Sequence, residues 1–130
     1  MKEVYAFLKK CERVYLGNCY GDQPRALVFG VAVFEDKLYI EIGYFKKISA
    51  ELRSNPKLEI CGHIDGDEWL YIEATAVEDE RLEAKRHMLD EYPSLKRMYA
   101  ADDGNTEVFW LKDATATFSS FTAEPRTVKF

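Results

Sequence analysis

The stretch RALVFGVAVFEDKLYIEI, Arg25 to Ile42, decides the fold class of this chain. Its first ten residues are apolar on both faces, with Leu27, Phe29, Val31 and Val33 set against Ala26, Val28, Ala32 and Phe34. A strand covered by protein on both sides reads this way. Glu35-Asp36 then turns the chain, and Leu38, Ile40 and Ile42 alternate with Lys37, Tyr39 and Glu41, the period of a half-buried strand. Two apolar runs joined by so short a turn point to antiparallel order.

Upstream, Arg13 to Tyr20 reads as a strand, and Gly21-Asp22-Gln23-Pro24 is a turn carrying both Gly and Pro. Val4, Phe7, Leu8 and Cys11 fall at i, i+3, i+4 and i+7, which predicts a short amphipathic N-terminal helix. Downstream, Lys46 to Ser54 reads as a second helix, with Phe45, Ile48 and Leu52 on one side, ended by Pro56. Lys57 to Ile64 and Glu68 to Val77 form a hairpin about Asp65-Gly66. An acidic bend, Glu78-Asp79-Glu80, leads into a helix from about Arg81 to Glu91. Pro93 opens one more helical stretch, on which Leu95, Met98 and Tyr99 share a face, and the loop Asp102 to Asn105 follows. Glu107 to Leu111 and Ala114 to Phe121 read as two strands broken near Lys112-Asp113, and the tail from Thr122 to Phe130 has no clear periodicity. Six or seven short strands joined mostly by hairpins, with helices tucked between them, predict a mainly β fold, a barrel or strongly curved sheet.

The whole chain, residues 1–130, reads as a single domain without linker or repeat. With 47% hydrophobic and 32% charged residues it has the composition of a packed globular protein, which excludes disorder. A net charge of -5 argues against a general nucleic-acid binder, so any anionic ligand needs a local cationic cluster. The three cysteines, Cys11, Cys19 and Cys61, lack CxxC spacing, which predicts free thiols and a reducing compartment. No signal core is visible and no run approaches the roughly 18 apolar residues of a membrane span. The expectation is a soluble cytoplasmic protein with no membrane partner.

One cationic cluster stands out. Tyr44-Phe45-Lys46-Lys47-Ile48 follows a strand and opens a helix, so two ammonium groups lie beside unpaired helix amides. That is the chemistry of a phosphate site; the alternative is a solvated lysine face. Lysine is unfavourable at a helix start, where the dipole prefers acids, which weighs against the alternative. Arg25 supplies a third cation if its strand neighbours Lys37 to Ile42, and is otherwise an exposed strand-start arginine. Trp69, Trp110, Tyr71 and Phe109 either stack on a planar ring, line a subunit interface or pack in the core. Cys61 and His63 have no second ligand pair, so no metal site is expected. Asp65-Gly66-Asp67 and the 102–105 loop are turns, and Ser119-Ser120 lacks a nucleophile elbow. No catalytic residue is identified.

The chain resembles the FMN-binding split-barrel proteins, the pyridoxamine 5'-phosphate oxidase-like family with its small flavoprotein and nitroimidazole-resistance relatives. The resemblance runs from about Val4 to Phe121. Its carriers are Gly21 to Arg25, Phe29-Gly30, Asp36 to Ile40, Lys46-Lys47-Ile48 with Leu52, and Asn55 to Cys61. Trp69 to Ile72 with Ala76-Val77, Tyr99 to Asp103, and Glu107 to Leu111 complete the set. What the resemblance implies is a split β-barrel pairing as a homodimer, with FMN in a cleft between subunits and Lys46 and Lys47 on its phosphate. Arg25 matches a basic residue often found after the Gln-Pro turn, and Tyr44, Phe45 and Trp110 join the expected cofactor contacts. Two departures imply fewer hydrogen bonds than the family norm. Ile42 to Phe45 replace hydroxyl and amide residues, and Leu27 stands where a second arginine is common. The expected function is an FMN-dependent oxidoreductase of undetermined small-molecule substrate and electron donor. The alternative is a non-enzymatic split-barrel dimer that binds a flavin, another planar ligand, or none. Apolar excess in Arg25 to Phe34, with Phe109 and Trp110, also predicts a dimer.

Overall fold

Eight strands form one antiparallel sheet in the computed structural model, which describes residues 1–42, 46–64, 66–94 and 106–130, Lys46 by its backbone alone. The strands are β1 (Val14–Tyr20), β2 (Gln23–Val28), β3 (Gly30–Phe34), β4 (Lys37–Glu41), β5 (Lys57–His63), β6 (Glu68–Asp79), β7 (Val108–Ser120) and β8 (Arg126–Lys129). Three helices accompany them: α1 (Lys2–Lys10), α2 (Lys46–Ser54) and α3 (Leu82–Glu91). The hydrogen-bonded order is β2-β1-β5-β6-β7-β4-β3, with β8 on β7. Its two end strands, β2 and β3, are consecutive in the chain with only Phe29 between them. The sheet therefore curls until its edges meet, a split barrel.

That closure corrects the reading of Arg25 to Phe34 as one strand. It is two strands on opposite edges of the sheet, turned at Phe29, whose side chain packs on the barrel core. The two apolar faces are nonetheless explained. Val31, Leu38 and Ile40 belong to the barrel core with Leu16, Ile60, Leu70, Ile72 and Phe109. Ala32 and Tyr39, alternating with them, pack on the other face against Ala84 and Met88 of α3. Both faces of β3 and β4 are covered, and α1 seals the barrel with Val4 and Leu8.

The β3–β4 hairpin turns on Glu35 and Asp36, at φ 51° and 59°, the left-handed pair of a two-residue loop. Edge strand β3 is capped by a side chain. The Tyr92 hydroxyl accepts from the Val31 N–H at 2.7 Å and donates to the Val31 carbonyl at 2.7 Å. Gly30 makes room for it, since a Cβ there would stand 2.9 Å from Tyr92 Cε2.

Several other sequence readings change. Gln23-Pro24 already belongs to β2, an edge strand, where the missing N–H of proline is tolerated. Glu78-Asp79 is no bend: β6 runs through Asp79, paired with Phe109 and Val108. β7 is one strand of 13 residues rather than two. Its register shifts opposite Glu73 and Thr75, and Asp113, at φ 52°, absorbs the extra residue as a bulge. The tail forms β8, paired with Thr115 to Phe118, and Phe130 exchanges both backbone hydrogen bonds with Ala114. The helical face of Leu95, Met98 and Tyr99 and the 102–105 loop lie outside the described residues. No described helix is long and apolar enough to cross a membrane, and the three cysteines are unpaired.

Candidate functional site around helix α2

Strand β4 leaves the sheet at Ile42, whose N–H bonds to the Glu107 carbonyl at 3.0 Å. Tyr44 and Phe45 lie outside the described residues, and α2 begins at Lys46. No acid occupies its first turn, and Lys47 is exposed. Ser49, Glu51 and Leu52 are buried, so one side of α2 faces the barrel end, against β1.

Two of those inward positions are polar, and one is charged. Glu51 is 2% exposed. Its Oε1 accepts from Arg25 Nε at 3.2 Å and its Oε2 from Asn18 Nδ2 at 3.0 Å. Asn18 and Arg25 are cross-strand partners on β1 and β2, so their side chains share one face. A buried carboxylate thus ties the β1–β2 hairpin to the helix. An unpaired charge at that depth would cost several kcal/mol, which the two donors offset.

Arg25 therefore reaches α2, but not by the expected route. β2 pairs with β1, while β4 lies between β7 and β3. The connection is Glu51. Lys47 and Glu51 stand four residues apart, neighbours on one helix face about 6 Å along the axis. The Arg25 side chain is 33% exposed, and among the described residues its terminal nitrogens Nη1 and Nη2 have no hydrogen-bond partner.

Trp110 lies elsewhere. It is half-buried on the α3 side of the sheet with Phe34 and Tyr92, and Lys37 Nζ sits 4.4 Å over its ring. That face is opposite the one that carries Asn18 and Arg25. Phe109 is core at 1% exposed, Tyr71 is 40% exposed, and Trp69 packs edge-on against Phe121. His63 is an exposed strand residue and His87 leans on Phe34. Among the described residues no cluster of His, Cys, Asp or Glu has the makeup of a metal site.

A depression of about 580 Å³ opens over β1, β2, β5 and β6, with Gly17, Cys19, Lys57, Glu59, Glu73 and Thr75 in its lining. Asn18 and Arg25 belong to its lining, so it borders the pair that meets Glu51. Tyr15 and Val28, directly paired and each 49% exposed, continue this open surface.

Sequence reasoning missed Asn18 and Glu51. The available signal was a polar residue in an apolar series: Asn18 follows Val14 and Leu16 at inward positions, and Glu51 lies between Ile48 and Leu52.

No family model matches the chain, and no curated protein matches it. Solved structures do. A NimC/NimA family protein from Clostridium acetobutylicum is 38% identical over 100% of this chain and 92% of its own, with a TM-score of 0.93. General stress protein 26 from Bacillus anthracis str. Sterne matches 99% of this chain and 97% of its own at 17% identity, TM-score 0.78. A Clostridium acetobutylicum protein related to general stress protein 26 of B. subtilis, described as of the pyridoxinephosphate oxidase family, matches 99% and 93% at 13% identity, TM-score 0.77. The latter two likenesses carry the fold alone. The curled sheet, closed at Phe29, and the full-length identity of 38% lead to one conclusion: the chain belongs to the NimC/NimA family and has a split-barrel fold.

Proposed function

We propose that this protein binds FMN as a homodimer and uses it in an oxidoreductase reaction on a small-molecule substrate. The observation that carries this reading is the start of α2: two lysines, no acid in the first turn, and Arg25 held against the same helix. In a chain of net charge -5 this is a local donor set suited to a phosphate dianion. Lys46, Lys47 and Arg25 hold the phosphate in this reading, with Tyr44 and Phe45 as aromatic partners for the ring system; Trp110, on the opposite face of the sheet, joins them only across the dimer. FMN supplies hydride or single-electron transfer when bound, and the protein supplies binding, orientation and electrostatics. That division suits a chain in which no acid–base dyad or nucleophile is evident.

The dimer reading moves to a different surface. Phe109 is in the barrel core and Trp110 packs beside α3, so neither supplies the apolar excess. What stays open is the outer face of β2, β1, β5 and β6, with Ala26, Val28, Tyr15 and Tyr71 exposed. Surfaces of this makeup become the core of obligate interfaces. Light scattering at micromolar concentration is expected to report twice the monomer mass, and a monomer mass would refute the dimer.

A second reading is a split-barrel dimer without redox activity. Leu27, packed on the barrel core, and Ile42, 2% exposed, favour it, because both spend on packing positions that the family pattern gives to polar groups. Absorbance after adding FMN and desalting separates the two. Retained flavin that a nicotinamide nucleotide reduces supports the first reading, and a colourless protein overturns it.

A further inference from the structure

We propose that Glu51 is a positioning residue, holding Arg25 through Nε so that the Nη1–Nη2 edge of the guanidinium meets a phosphate at the start of α2. This inference rests on the phosphate site proposed above. The argument begins with how Arg25 is bound. A guanidinium paired only for charge neutralisation favours a two-pronged contact, with two parallel N–H groups on the two carboxylate oxygens. Here the contact between Arg25 and Glu51 is single, Nε to Oε1 at 3.2 Å. The other oxygen is taken by Asn18 Nδ2 at 3.0 Å, which fixes the carboxylate from the side of β1. Asn18 is 5% exposed and Glu51 2%, so the anchor is rigid while the outer edge of Arg25 is in contact with solvent. Those terminal nitrogens have no described partner. Glu51 stands one helical turn from Lys47, so a guanidinium held on Glu51 is held to the helix that carries the lysine.

The bland alternative is that Glu51 merely fastens α2 to the β1–β2 hairpin. Glutamine at 51 distinguishes the two. Its carbonyl oxygen accepts from Arg25 Nε, and its amide donates to Asn18 Oδ1 once the Asn18 amide turns over; that oxygen is buried and unpartnered as it stands. The tether survives without its charge.

The experiment measures FMN and riboflavin affinity of the purified full-length protein and of its Glu51→Ala, Glu51→Gln, Glu51→Asp and Arg25→Ala variants. Glu51→Ala is expected to weaken FMN binding about three- to tenfold, the factor for freeing one long side chain, and to leave riboflavin unchanged. Glu51→Gln restores FMN binding to within about threefold of the parent. Should Glu51→Ala fail to fold, Glu51→Asp, with the carboxylate drawn back by one methylene, is expected to show the same FMN-selective loss. Adding Glu51→Ala to Arg25→Ala costs nothing further if Glu51 acts through Arg25. An FMN-selective loss in Arg25→Ala with none in the Ala or Asp variant overturns the positioning role and leaves the phosphate site standing. Equal loss of FMN and riboflavin in Glu51→Ala also overturns it, in favour of the fastening role. No FMN loss in Arg25→Ala removes Arg25 from the phosphate site, and the inference falls with it.

Discussion

Replacing Tyr92 with Phe removes one oxygen and two hydrogen bonds, the pair it makes with the N–H and carbonyl of Val31. Both partners lie on edge strand β3, which has no strand beyond it to take over. Each bond contributes about 1 kcal/mol net, so the variant is expected to lose about 2 kcal/mol. For a domain of this length that lowers Tm by roughly 7 °C. Gly30→Ala reaches the same contact from the other side, because its Cβ would meet Tyr92 Cε2 at 2.9 Å and Cζ at 3.0 Å. Its ring displacement costs the same two bonds, so the double variant should lose about 2 kcal/mol less than the sum of the singles. Urea unfolding at one fixed protein concentration reads all four proteins, and the Val31 amide should exchange faster in each variant. A Tyr92→Phe protein within about 0.5 kcal/mol of the parent, or strict additivity with Gly30→Ala, would refute the account of the capped edge.

Replacing Lys46 and Lys47 together with Ala should weaken FMN binding by two to four powers of ten at about 1.5–3 kcal/mol per charged contact, with far less effect on riboflavin and little on stability. Unchanged FMN affinity, measured by fluorescence titration, would make the pair a solvated face. The Asp79 carboxyl is held down to about 2 by hydrogen bonds from Arg81 and then from Tyr39. Stability from this site, about 2 kcal/mol, is therefore present above pH ~4 and lost as pH falls toward 2. Burial and then the bond to Asp79 push the Tyr39 hydroxyl up to about 12, so its contribution holds below pH ~10 and fades as pH rises through 12. Urea midpoints across pH should show both limbs, and Asp79→Asn should flatten the acid one. Asp36, at φ 59° in the hairpin loop, should accept Gly with a gain of up to ~1 kcal/mol, seen as a higher urea midpoint with unchanged slope.

Local patterns were legible wherever local forces set the structure. The limits of α2 follow from the apolar side of Ile48 and Leu52 and from Pro56, and the β3–β4 hairpin follows from alternation about Glu35-Asp36. The break at Phe29 was not legible, because both halves of Arg25 to Phe34 keep one alternation and only closure of the sheet separates them. Lys112-Asp113 read as a break because a bulge and a turn use the same residue types. β8 is four residues with a single apolar side chain, and its partner Thr115 to Phe118 decides it. Lys46, Lys47 and Arg25 could be named from charge and helix position. Their buried organiser could not, since Glu51 meets Asn18 across 33 residues and Arg25 across 26.

The junction at Phe29 gives the barrel a seam of an uncommon kind. Apart from the branch of β8 on β7, the strand ladders run along one continuous ribbon from β2 round to β3, and among the described residues no ladder crosses between those two edges. The clasp is the polypeptide itself. Prising the mouth apart at this point breaks no sheet hydrogen bond and asks only for torsional change around Phe29 and Gly30. What resists it is a latch on each lip: Glu51 gripping Arg25 from α2 on one, and the Tyr92 hydroxyl gripping Val31 on the other. Stiffness of the rim is thereby delegated to side chains, and two substitutions outside the sheet's ladders suffice to loosen a wall whose backbone pairing is untouched.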